Sequence, residues 1–185
     1  MSSAAAAKVS PGQEQSSIPS TLPGVCLDAM VRHNKTDAVS EKREGEWVRI
    51  SATQFVRRVR HIALGLVDLG IQSGDRVALI SENRPEWSMA DLAILSLGAV
   101  TVPIYTTQSI DQIQFILEDS GTRALLISGG RILKHARKGF EGLNQLEHVV
   151  IFDPEAANGF DGAKTLESVQ ARGAAIERDD AEAFD

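Results

Sequence analysis

Cysteine is almost missing from this 185-residue chain, with Cys26 the only one. One thiol makes no internal disulfide, and without a Cys or His partner at ligand spacing it makes no structural zinc site, so a reducing cytoplasm is the expected setting. Long hydrophobic runs are missing too. The longest nearly uninterrupted apolar stretch, Ala90 to Tyr105, is broken by Asp91, Ser96, Gly98, Thr101 and Pro103, and is too short and too interrupted to span a bilayer. Positive charge is scarce: 19 Lys and Arg stand against 25 Asp and Glu, a net of −6, which argues against a dedicated nucleic-acid surface. Neither G-x-G-x-x-G nor G-x-x-x-x-G-K-[ST] occurs, so the two common phosphate-cradling loops are absent. His33, His61, His135 and His148 are scattered and form no H-x-x-x-H pair.

What remains is ordinary globular material. Apolar residues make up 43% and charged residues 24%, and the length suits one domain. Residues 1–21, rich in Ala, Ser, Gln and Pro, read as a disordered leader; Ala4–Ala7 is too short for a signal-peptide core. Charge is uneven along the chain: residues 1–92 hold 11 basic and 11 acidic side chains, and 93–185 hold 8 and 14. Much of the excess lies in Glu177 to Glu182, so residues 154–185 read as an acidic, linker-like tail.

Between these ends the periodicities are clear. Leu22, Val25, Cys26, Ala29 and Met30 follow helical spacing, which would make Cys26 a core residue. Ala38–Lys42 and Glu46–Ile50 flank a Gly-containing turn and predict a hairpin. Ser51-Ala52-Thr53-Gln54 is a capping-box pattern opening a long helix that Gly70 ends. On it the Arg57-Arg58-Val59-Arg60 cluster reads as a solvated face rather than an anionic-lipid or phosphate contact.

Arg76–Ser81, Val100–Tyr105, Arg123–Ser128 and His148–Phe152 are short, nearly continuous aliphatic runs, as expected of strands buried on both faces. Helical patterns separate them: one from Pro85, one from the capping box Ser109-Ile110-Asp111-Gln112, and one over Arg131 to Lys138. Successive βαβ units imply an α/β fold, a parallel sheet with helices on its faces. The helix Trp87 to Leu97 is apolar nearly all round, which predicts a covering partner or more chain.

In such a sheet, ligands sit beyond the carboxyl ends of the strands. Three polar loops qualify: Ser81-Glu82-Asn83-Arg84, Tyr105-Thr106-Thr107-Gln108 and Ser128-Gly129-Gly130-Arg131. Asn83, Thr107, Ser109 and Ser128 read more simply as caps and turn residues. Cys26 and His33 share a helix face or its end, but nothing nearby supplies the oriented third group that a nucleophile needs. The residues alone give an α/β domain with no recognisable active site.

The stretch Gly70 to Trp87, with its E-N-R-P-E-W ending at Trp87, resembles a signature region of the AMP-dependent synthetase and ligase (adenylate-forming) superfamily. Leu95 to Tyr105, ending in V-P-I-Y, is similar to that family's early core motif, and both resemble its long-chain fatty acid–CoA ligase branch. The likeness runs from about Leu22 to Asp153, so residues 22–153 are expected to be the first part of the family's large N-terminal domain, the rest of which is missing.

The resemblance implies a two-step reaction. A carboxylate attacks the α-phosphate of ATP, giving an acyl-adenylate and pyrophosphate; the coenzyme A thiol then displaces AMP. It also implies fatty acid, ATP, Mg²⁺ and coenzyme A for the complete enzyme, and allows peripheral membrane contact to collect lipid substrates. The family's Ser/Thr/Gly-rich lysine loop, Tyr-x-x-Thr-Glu segment, ribose-binding Asp and C-terminal lysine match no position here. No catalytic, cofactor-binding or metal residue is therefore assigned, and the isolated chain is expected to be inactive. The alternative is a self-sufficient, non-catalytic α/β binding or regulatory module, since fold does not fix function.

Overall fold

A computed structural model describes residues 21–43 and 45–184, so the leader expected over 1–21 lies outside the described residues except for Thr21. The elements are α1 (Leu22–His33), β1 (Val39–Arg43), β2 (Glu46–Ile50), α2 (Ala52–Asp68), β3 (Arg76–Ile80), α3 (Pro85–Ser96) and β4 (Val100–Pro103). They continue as α4 (Ile110–Ser120), β5 (Ala124–Ile127), α5 (Gly130–Phe140), β6 (His148–Ile151), α6 (Pro154–Ala157), β7 (Lys164–Thr165) and α7 (Leu166–Asp179).

Local chemistry sets the helix starts. The Ser51 hydroxyl accepts from the Gln54 amide while the Gln54 side chain accepts from the Ser51 amide, and Ser109 with Gln112 repeats the arrangement at α4. Thr21 caps α1, and Pro85 occupies the first turn of α3, where its missing N–H would have no partner in any case.

β1 and β2 form the expected antiparallel hairpin, while the other five strands form a parallel sheet in the order β4-β3-β5-β6-β7. β3 is central: Val77, Ala78, Leu79 and Ile80 are fully buried. Val77 and Leu79 face the larger core, built from Phe55, Val59, Ile62 and Leu66 of α2, Met89, Ala93 and Ile94 of α3, and Leu166 and Val169 of α7. Ala78 and Ile80 face the second core, with Ile113 and Leu117 of α4 and Leu133, Ala136 and Phe140 of α5. Helices thus cover both faces, and each fully buried Ile or Leu contributes about 1.5–3 kcal/mol of hydrophobic stabilisation.

Three expectations are corrected. α3 needs no external cover, because it packs against α1, α2, β1, β3 and β4. Cys26 is half-buried at the edge of the core rather than inside it. The acidic, linker-like reading of 154–185 fails for residues 166–179, which form α7 and lie along α2. The helices approach closely because Gly65 and Gly173 lack side chains: a Cβ on Gly65 would meet the Val169 carbonyl oxygen at 2.2 Å, and one on Gly173 the His61 carbonyl oxygen at 1.9 Å.

Charges of α7 find partners on α2. Glu177 accepts from Arg60 at 2.6 Å and lies 2.9 Å from His61 Nε2, and Arg172 donates to both oxygens of Asp68. The Arg60 guanidinium lies over the Phe184 ring at 4.8 Å, so the basic cluster is only partly a solvated face. Among the described residues β4 is one edge of the sheet and β7 the other, and Pro103 is tolerated in β4 because an edge strand pairs on one side only. Val100 and Tyr105 at the β4 edge, and Phe115 on α4, are exposed.

Gly173→Ala is expected to lower stability by about 3 kcal/mol through overpacking, read as a lower urea midpoint; an unchanged midpoint would contradict the α2–α7 contact. Burial pushes the Glu177 carboxyl up, but hydrogen bonds from Arg60 and His61 outweigh it and hold the pKa below its ordinary 4.5. Its contribution to stability is complete above that ordinary value and is lost as pH falls through the lower folded value. Glu177→Gln should therefore cost stability at pH 7 and progressively less towards pH 3, in parallel urea titrations.

Candidate functional site

The strand order is that of a doubly wound sheet in which β3 and β5 are neighbours whose onward connections diverge. β3 leads through α3 on one face to β4, and β5 leads through α5 on the other face to β6. The crevice between the carboxyl ends of β3 and β5 is where such sheets receive ligands. Two of the three polar loops, 81–84 and 128–131, flank it.

Residues of the chain itself bridge that crevice. The buried Ser128 hydroxyl, beyond β5, donates to Glu82 Oε2 beyond β3 at 2.6 Å. Arg84 donates from Nη1 to Asp153 Oδ1 at 2.8 Å and from Nε to Glu86 Oε2 at 2.9 Å. The other Asp153 oxygen accepts from the Gly129 amide at 2.9 Å. Gly129 is the N-cap of α5, a position where amides attract anions, and no side-chain cap competes there. A Cβ on Gly129 would meet Ala156 Cβ at 2.5 Å and Asp153 Cβ and Oδ2 at 2.9 Å, so only glycine lets the β6–α6 turn come this near.

Arg84 is the hub. Its side chain is 18% exposed, its guanidinium lies 5.6 Å from the Phe152 ring centroid, and Glu86 also pairs with Arg43 of the hairpin. Burial alone would disfavour the Arg84 charge, but the hydrogen bonds to Asp153 and Glu86 outweigh it and raise the pKa above the ordinary guanidinium value. One cation thus joins the β3–α3 loop, the end of β6 and, through Glu86, β1.

The expected caps are distributed differently. Ser109 caps α4, but Arg84 rather than Asn83 holds the α3 cap position, and Ser128 serves Glu82 rather than a helix. In the third loop Tyr105 is 77% exposed, and the Gln108 carbonyl meets His135 Nε2 at 2.8 Å. His148 Nε2 similarly reaches the Leu69 carbonyl. Cys26 and His33 line one hollow of about 330 Å³, with no hydrogen bond between them. Among the described residues no His, Cys, Asp and Glu group could hold a metal ion, and no helix is long and apolar enough to cross a membrane.

A wider groove of about 620 Å³ runs between the hairpin and the β3–α3 loop, lined by Lys42, Trp47, Glu82, Asn83 and Arg84 among others. Its charges are mixed and Arg84 is already engaged, so the arrangement as a whole anchors loops. Sequence reasoning located the crest loops but not the bridge, because Arg84 and Asp153 stand 69 positions apart.

Comparison with known proteins agrees with this architecture. Residues 27–183 match the family model described as "AMP-binding enzyme", which extends past the boundary expected at 153. Over 77 residues the chain is 47% identical to the long-chain-fatty-acid–CoA ligase FadD15 of Mycobacterium bovis, covering 42% of this chain and 13% of that protein. Over 152 residues it is 26% identical to the long-chain-fatty-acid–CoA ligase ACSBG1 of Rattus norvegicus, covering 82% of this chain and 21% of that protein. The chain therefore spans about a fifth or less of the length of these relatives.

Among solved structures, the adenylation domain of a carboxylate reductase from Mycobacterium chelonae superposes with a TM-score of 0.70 at 22% identity, over 83% of this chain and 29% of that one. The anthranilate CoA ligase AuaEII gives 0.63 at 20% identity, over 78% and 26%. These similarities establish the fold.

Arg84→Met is expected to cost about 2–3 kcal/mol, because Asp153 and Glu86 lose a charged donor. Arg84→Lys should recover only part of this, since an ammonium lacks the guanidinium fork. Urea unfolding measures both, and equal stability of all three proteins would contradict the hub.

Proposed function

Because the chain belongs to the AMP-binding enzyme family, we propose that the complete protein is an ATP-dependent long-chain fatty acid–CoA ligase and that this chain is its N-terminal part. The observation that carries the reading is the pair of relatives named as long-chain-fatty-acid–CoA ligases, each matched over a small share of its length. The open β4 edge, with exposed Val100 and Tyr105, offers surface for the remainder of the domain.

The complete enzyme would join a fatty acid to coenzyme A through an acyl-adenylate, using ATP and Mg²⁺. The carboxylate oxygen forms a bond to the α-phosphorus as pyrophosphate leaves; the coenzyme A sulfur then bonds the acyl carbon as AMP leaves. Concentrated phosphate charge requires cations and amide donors around it. At the crest, the amide and guanidinium that would meet an oxyanion already hold Asp153. Here the described residues contribute the folded base of a domain, and phosphate chemistry belongs to residues beyond them.

A second reading, a non-catalytic α/β module, draws support from the way α1 and α2 cover α3 without help from outside the chain. Reading the coding DNA past the Asp185 codon separates the two: an in-frame Ser/Thr/Gly-rich lysine loop supports the ligase, and a stop codon supports the module. The purified 185-residue chain is expected to show fatty-acid-dependent ATP–pyrophosphate exchange no faster than a blank. A rate above the blank would place the first half-reaction within this chain and overturn the assignment.

A further inference from the structure

We propose that the switch-point crevice is closed by an internal carboxylate plug: Asp153 occupies an oxyanion cradle made by Arg84 and the Gly129 amide, and so shuts small external anions out of it. Both Asp153 oxygens are engaged, Oδ1 by the guanidinium at 2.8 Å and Oδ2 by the amide at 2.9 Å. A guanidinium on one oxygen and a helix N-terminal amide on the other is the pairing by which proteins hold a bound carboxylate or phosphate. Here the anion is supplied by the turn after β6, and Gly129 has no side chain to keep it away.

The surroundings reinforce the closure. Glu82, held by Ser128 on the other side of the crevice, lies 3.8 Å from Arg84 Nη1. Glu86 takes the guanidinium's Nε. An incoming anion would meet a cation already shared among three carboxylates, and would have to displace Asp153 against their repulsion. The Asp153 side chain is 37% exposed, so the plug lies at the surface and its removal opens the cradle directly to solvent. The plug is a property of the crest itself and holds whichever reading of the complete protein is right.

The test is chemical rescue on the full 185-residue chain. Asp153→Ala should lower the thermal midpoint. Sodium formate, which restores the deleted carboxylate, should raise the midpoint of that variant by roughly 2–4 °C, saturably, above sodium chloride at equal ionic strength. The unsubstituted chain should respond to the two salts alike, and Arg84→Met/Asp153→Ala should lose the formate response. If Asp153→Ala does not fold on its own, its refolding yield in formate against chloride gives the same readout. A formate response equal in the unsubstituted chain, absent from Asp153→Ala in both assays, or retained without Arg84 would overturn the plug.

Discussion

Burial of β3 on both faces is the constraint from which the rest of the architecture follows. Val77, Ala78, Leu79 and Ile80 have no exposed surface, so apolar material must be supplied from two sides at once. α2, α3 and α7 meet it on one side, and α4 and α5 on the other. A sheet covered in this way must send its connections to both faces, and the divergence of α3 and α5 beside β3 and β5 creates the crevice at the strand ends. The position of the candidate site is thus a consequence of core burial, before any chemistry is considered.

What fills the crevice decides what these residues do. The family model that the chain matches is described as "AMP-binding enzyme", and a crest with a helix amide and a guanidinium has donors suited to an anion. Asp153 and Glu82 occupy those donors and the neighbouring serine, and thereby turn a potential ligand site into a joint. The same ionic hub reaches the hairpin through Glu86 and Arg43. On the function proposed above, this joint is folded support for an active site completed by the rest of the protein, of whose relatives the chain spans about a fifth or less.

Much of this was legible in the residues. The two capping boxes marked the starts of α2 and α4, and the aliphatic runs marked β3 to β6, because local chemistry and strand burial both leave short-range patterns. α7 was not legible. Its contact face depends on Gly173, whose value is the absence of a side chain, and its acidic C-terminal end resembles a solvated tail. The cover over α3 was misjudged for a related reason: α1 is short and its apolar residues are divided between core and solvent. The Arg84–Asp153 bridge joins positions 69 apart and leaves no local pattern. Resemblance supplied the family, which periodicity and spacing did not.

The central claim is that the crest of this sheet is a closed joint and does not receive nucleotide. A ¹H–¹⁵N titration of the 185-residue chain with ATP and Mg²⁺, following the Ser128, Gly129 and Gly130 amides, tests it most directly. The account predicts that these resonances stay in place at millimolar nucleotide. A saturable movement of the Gly129 amide would contradict it.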